Sequence, residues 1–257
     1  MPANLTLSIG TLFSFLLVLS RVAGALVFVP LPGMAGAPQQ ARAALACALT
    51  LALSSRWPAV DASGAGFANL AGWAVSEAVV GIAIGVSIAI VLEAFSMAAQ
   101  AISVPAGYGF ASTIDPNTQA DSGVLLVFAQ LMAGLLFFSI GLDRPVIQLF
   151  AESLDKVPPG AYIFGPQSAL ALAQLAAGIF SVGVRLALPV VALLVMVDIA
   201  LALLGRVNAR LQLLMLAFPA KMLVGLLMLN WLAVLFPRML REFSGQAWIA
   251  ARHLLGL

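Results

Sequence analysis

Long apolar stretches separated by short polar turns make up most of this chain. Several of them reach the ~20 residues that an α-helix needs to cross the hydrocarbon core of a bilayer. The pattern predicts an all-α fold, that of a polytopic helical membrane protein built of helical hairpins. About six hydrophobic segments are expected, at Leu5–Val29, Ala43–Ser54, Phe67–Ala99, Gly123–Leu142, Ser168–Leu204 and Leu211–Phe236.

Two of these segments do not have the length of a simple span. Ala43–Ser54 is too short to cross a bilayer alone, whereas Phe67–Ala99 is longer than one crossing needs. Pro145–Lys156 carries apolar residues on one helical face, which predicts an amphipathic helix that ends before Pro158 and Pro159. With six crossings, the balance of basic residues places both termini in the cytoplasm.

Composition narrows the possible functions. Of the 257 residues, 63% are hydrophobic and 9% are charged, whereas soluble domains have about 45–50% apolar and about 25% charged residues. A formal net charge of +2 gives no reason to expect a nucleic acid partner. Cys47 and His253 are the only residues of their types, too few for a disulfide framework or a metal cluster. The sequence also lacks a P-loop and a Gly-x-Ser-x-Gly motif, so we expect no enzyme and no cofactor.

Charged residues within the apolar segments predict contacts with protein rather than with lipid. A charge at the centre of a bilayer costs about 2.5–3.5 kcal/mol even on the lenient insertion scale. In the third segment, small residues recur at four-residue spacing between two glutamates, which lets another helix approach closely. That helix belongs either to the same chain or to a partner subunit. The candidates for helix or subunit interfaces are Glu77, Gly81, Gly85, Glu93, Arg185, Asp198 and Lys221.

The stretch PAGYGFASTIDPNTQAD, Pro105–Asp121, interrupts the apolar pattern between two hydrophobic segments. One interpretation is an extramembrane loop, with Asp115 as an N-cap and Pro116 at the first position of a short turn. The other is a working part of the molecule, because irregular backbone is tolerated at membrane depth where it is buried in protein or lines a water-filled cavity. The residues alone leave both open.

Five motifs occur in order along the chain, from about Arg21 to Leu229. They are RVAGALVFVPLPGMAGAPQQARAALA, EAVVGIAIGVSIAIVLEAFSMAAQAI, GYGFASTIDPNTQADSGVL, AESLDKVPPG, and LALPVVALLVMVDIALALLGRVNARLQ followed by FPAKMLVGLLML. This ordered set resembles the FliR/SctT family, membrane components of the type III secretion export gate in flagella and injectisomes. The segment DRPVIQLFAESLDKVPPG is more similar to the flagellar branch.

The resemblance implies a core subunit of the protein export gate in the bacterial inner membrane, at the flagellar basal body or the injectisome base. Its implied partners are FliP-, FliQ- and FlhB-type subunits, membrane lipid and exported unfolded protein substrates. Residues 1–166 would form a FliP-like helical part, and residues 167–257 a FliQ-like helical hairpin with a basic tail. Arg42, the basic residue after the first Pro-Gly turn, joins the interface candidates.

The resemblance also implies that the loop 105–121 is a plug that helps close the channel. Its glycines supply bends, and its aromatic and aliphatic side chains supply apolar bulk. The candidate plug residues are Pro105, Gly107, Tyr108, Gly109, Phe110, Ile114, Asp115 and Pro116. An alternative function is a small-molecule or ion carrier, whose site would lie at the broken helix around Arg185 and Pro189.

Overall fold

The structure, a computed structural model, describes residues 9–29, 38–59, 67–108, 124–207 and 213–257. These residues form helices and turns, which confirms the predicted all-α class. A short 3-10 helix, Ser54–Arg56, follows the second α-helix. The α-helices are α1 (Ile9–Phe28), α2 (Gln39–Ala52), α3 (Phe67–Ser103), α4 (Val124–Ser139), α5 (Asp143–Lys156), α6 (Pro166–Val207) and α7 (Leu213–Leu255).

Three helices in the described part of the chain are long and apolar enough to cross a membrane. They are α1, the Asn69–Ser103 part of α3 and the Pro166–Arg206 part of α6, and α4 with α5 would make a fourth if counted as one broken span. The expected count of about six is therefore not confirmed. The segment 168–204 was long enough for two crossings, but it folds as one 42-residue helix that continues through Pro189.

The chain forms two compact units. The first unit is Met1–Ala89, Gly141–Leu175 and Gln246–Leu257, and the second is Ile90–Ile140 and Ala176–Gly245. The domain boundary expected after residue 166 comes from the resemblance of the two parts to FliP and FliQ and not from packing. It stays a prediction.

In the first unit, α3 packs closely on α1 through small residues. A Cβ atom added to Gly24 of α1 would lie 2.6 Å from the carbonyl oxygen of Ala78. Gly81 and Gly85 of α3 meet the backbone of Arg21 and Ala25 in the same way. Because only hydrogen fits at these positions, the two helix backbones approach more closely than larger side chains would allow.

The amphipathic helix α5 completes the core of the first unit. The apolar residues on its predicted face are Val146, Leu149, Phe150 and Leu154, and the last three are buried. The helix ends at Lys156, before the two prolines, as predicted. The buried Ser153 lies on the same face and brings a hydroxyl group into this core.

In the second unit, α6 and α7 lie antiparallel. Gly178, early in α6, faces the ring of Phe243, which lies late in α7. Asp198, farther along α6, forms an ion pair with Lys221, which lies early in α7. The second half of α3 packs on both helices. Phe95 stacks on Phe236 of α7 with a ring-centroid distance of 4.7 Å.

Candidate functional site

A buried ion pair joins α1 and α3 in the first unit. The Nε atom of Arg21 lies 2.6 Å from Oε2 of Glu77, and the two side chains are 1% and 2% exposed. Burying two charges costs several kcal/mol per ion, and their mutual attraction offsets this cost only when the geometry is good and further hydrogen bonds are made. The surroundings of the pair therefore decide its effect on stability.

The end of α5 supplies the further hydrogen bonds. The guanidinium group of Arg21 donates to Oγ of Ser153 at 3.0 Å and to the carbonyl oxygen of Val157 at 3.2 Å. Ser153 in turn donates to the carbonyl oxygen of Phe150 at 2.8 Å. Arg21 thus connects α1, α3 and α5 through one side chain.

The glycine contact positions Glu77 for this pair. Gly81 lies one helical turn after Glu77 and fixes the distance between α1 and α3 at that level. Oε2 of Glu77 is satisfied by Arg21, whereas the buried Oε1 has no hydrogen-bond partner among the described residues. The residues Glu77, Gly81 and Gly85 are therefore brought together at a helix contact within this chain.

Of the remaining charged candidates, two pair with each other, two are exposed and one is half-buried. In the second unit, Asp198 and Lys221 pair with each other across the α6–α7 contact. Glu93 and Arg185 are exposed. In the first unit, Arg42 lies half-buried on α2. Whether any of these residues contacts another subunit stays a prediction.

The described part of the predicted plug is its start. After α3 ends, Val104–Tyr108 forms a tight turn in which Gly107 has φ +87°, a left-handed conformation that favours glycine. The Tyr108 hydroxyl donates to the carbonyl oxygen of Met222 at 3.1 Å. Burial raises the pKa of Tyr108, so its hydroxyl stays protonated up to a higher pH than that of a free tyrosine. Pro105 belongs to this turn, whereas the predicted plug residues Gly109, Phe110, Ile114, Asp115 and Pro116 lie outside the described residues.

Sequence reasoning missed the groups at the end of α5 that accept hydrogen bonds from Arg21. Ser153 and Val157 were not candidates, because they are 132 and 136 residues from Arg21 in sequence and nothing in a local pattern links them. Two further ion pairs in the first unit were also missed: Arg252 donates to Glu152 at 2.7 Å, between α7 and α5, and Arg56 pairs with Asp155. No group of three or more His, Cys, Asp or Glu residues that could hold a metal ion occurs within the described ranges.

Comparisons with known proteins place these features in context. The family described as "Bacterial export proteins, family 1" matches residues 12–247. The chain is 29% identical over 220 residues to the flagellar biosynthetic protein FliR of Escherichia coli, covering 85% of this chain and 82% of the relative. It is also 29% identical over 225 residues to FliR of Bacillus subtilis, covering 84% of each chain. FliR of Caulobacter vibrioides is 26% identical over 216 residues, covering 83% of this chain and 85% of the relative.

Proposed function

The chain belongs to bacterial export protein family 1, the family that includes the flagellar FliR proteins, and from this we propose that it is a core membrane subunit of the flagellar protein export gate. Membership confirms the resemblance and its flagellar branch. It makes the protein a component of the flagellar export apparatus rather than an enzyme.

The observation that best supports an assembled rather than a solitary state is the surface of α6. This helix has 42 residues, which correspond to about 63 Å at 1.5 Å per residue, about twice the ~30 Å thickness of a bilayer core. In an apolar stretch of 18 residues in α6, only 22% is buried, whereas 61% of a stretch of the same length in α3 is buried. Lipid can cover about half of such a helix, so the rest of its apolar surface needs protein.

We propose that FliP- and FliQ-type subunits cover this remaining apolar surface of α6, with an FlhB-type subunit beside them. The assembly would pass unfolded protein substrates. We place it in the bacterial inner membrane with both termini in the cytoplasm. The long apolar helices and the charge count support this placement.

Co-expression with FliP- and FliQ-type subunits tests the proposed function. We expect an affinity-tagged form of this chain, extracted in a mild detergent, to bring down both subunits in a fixed ratio, because they cover its exposed apolar helices. A carrier of small molecules or ions would instead purify alone or as copies of itself. Native mass spectrometry of the purified material distinguishes these outcomes, and a homogeneous preparation without either partner contradicts the proposal.

We also propose that the segment after α3 plugs the channel. Its start is held in place at Tyr108 by the hydrogen bond to α7, and its glycine-permitted turn redirects the chain at the end of a membrane-length helix. A fixed start of this kind would position the following residues without requiring a regular element.

Deleting residues 109–114 tests the plug. We expect the protein to insert and assemble with unchanged yield, because no described helix is altered, while the ionic conductance of the complex in planar bilayers rises several-fold through loss of the apolar constriction. Replacing Asp115 and Pro116 by alanine is the milder control, since these residues would shape the turn without filling the pore. Equal low conductance of the intact and deleted complexes would contradict the plug.

A further inference from the structure

One face of α6 is left uncovered in the second unit. The opposite face is buried, at residues such as Leu186, Val190 and Leu194. The uncovered face carries large apolar side chains at helical spacing, which forms a stripe suited to a second helix. Its exposed members in the central part of α6 are Phe180, Val184, Leu188, Val195 and Met196.

Arg185 lies within this apolar stripe. It is exposed, and its flanking positions on the same face, Val184 and Leu188, are 48% and 60% exposed. Among the described residues, no carboxylate lies within ion-pair distance of its guanidinium group. A carboxylate inside the same helix, Asp198, is already paired with Lys221. A cation surrounded by exposed apolar side chains therefore lacks a counter-charge within the described chain.

Glu93 of the neighbouring helix does not fill this role in the structure. The contact between α3 and α6 is made at Gly183, where an added Cβ would lie 3.0 Å from Sδ of Met97 and 3.4 Å from the carbonyl oxygen of Ala94. Glu93 is next to this contact in sequence, but the residue is exposed and its carboxylate accepts a hydrogen bond from Ser96 on its own helix.

We propose that the α6 stripe binds an apolar helix of a partner membrane subunit and that this helix carries a carboxylate opposite Arg185. The inference rests on the proposed function and adds the chemistry of the partner. A carboxylate matches the planar guanidinium with two parallel hydrogen bonds, and an apolar helix covers the side chains on both sides of the charge. Lipid tails could cover those side chains but would leave the cation unpaired.

Co-purification of charge variants with FliP- and FliQ-type subunits tests the proposal. We expect Arg185→Glu to lower the recovered partner subunits at least 10-fold, because two carboxylates would then face each other. Arg185→Lys should stay within about 3-fold of wild type, since it keeps the charge but loses the paired hydrogen bonds. Arg238→Glu is the matched control, because Arg238 is highly exposed and its ion pair among the described residues is with Glu242 on its own helix.

Rescue identifies the counter-charge. In the Arg185→Glu chain, reversing a single carboxylate in the apolar helices of the partners to lysine should restore assembly. A disulfide should then form between Arg185→Cys and a cysteine at that partner position.

Rescue by Glu93→Arg in the same chain would show an internal pair and overturn the proposal. So would wild-type assembly of Arg185→Glu, the absence of rescue by any partner reversal, or a loss confined to membrane insertion, which would indicate a lipid headgroup. If the wild-type chain recovers no partner subunits, the proposed function itself fails.

Discussion

Replacing Gly81 by leucine is expected to separate α1 from α3 and to destabilise the first unit by about 3 kcal/mol or more. A Cβ atom at this position would overlap the carbonyl oxygen of Arg21. Backbone cannot rotate away as the end of a side chain can, so the helices must move apart. The shift would also lengthen the Arg21–Glu77 ion pair, which lies one turn earlier on α3.

Thermal unfolding of the purified protein in detergent measures this effect, with protease resistance of α1 and α3 as a second readout. Gly72→Leu is the matched control, because Gly72 lies on the same helix and an added Cβ there meets no atom within 4 Å. The control should unfold within a few degrees of wild type. Equal stability of the two variants would show that close approach at Gly81 contributes little.

The helices were largely predictable from the sequence, because apolar run length is a strong signal. The overlong third segment is α3, the short second segment is α2, and the amphipathic pattern of 145–156 is α5. The number of crossings was not predictable in this way. A run such as 168–204 shows that the residues are apolar, but not whether the helix breaks at Pro189, and the structure shows one continuous helix.

The site was predictable in part. The cost of placing Glu77 in lipid indicated a contact with protein, and the glycines after it indicated a closely packed helix. In the structure these residues lie at the contact of α3 with α1. The sequence could also have suggested Arg21 as the partner, since Arg21 is an opposite charge within the first apolar segment. The contribution of α5 was beyond reach, because Ser153 and Val157 meet Arg21 only through the tertiary fold.

The described structure separates the charges of the apolar helices into two kinds. Glu77 and Asp198 are paired inside the chain with Arg21 and Lys221, and both pairs join helices. Arg185 is exposed among apolar side chains. Pairs of the first kind would stabilise the fold of a single chain. An exposed charge in an apolar stripe would instead determine which partner helix binds to that stripe. Substitutions at the two kinds of position should therefore have separable effects on stability and assembly.

Removing Arg21 alone is expected to be more damaging than removing the whole ion pair. Arg21→Met leaves the Glu77 carboxylate buried at 2% exposure without its partner, and breaking a buried pair in this way costs about 3–5 kcal/mol. The double variant Arg21→Met with Glu77→Met replaces both charges by apolar side chains of similar length. It should recover a large part of that loss, because no uncompensated charge remains.

The recovery should not be complete, because the carbonyl oxygen of Val157 loses the hydrogen bond from Arg21 in either variant, a loss of about 1 kcal/mol. Unfolding of the wild type, both single variants and the double variant in one detergent gives the coupling energy directly. Arg56→Met is the control, since Arg56 and Asp155 form an exposed pair in the same unit and such pairs contribute about 0–1 kcal/mol. A double variant as unstable as Arg21→Met would mean that Arg21 acts through its bonds to α5 rather than by compensating the charge of Glu77.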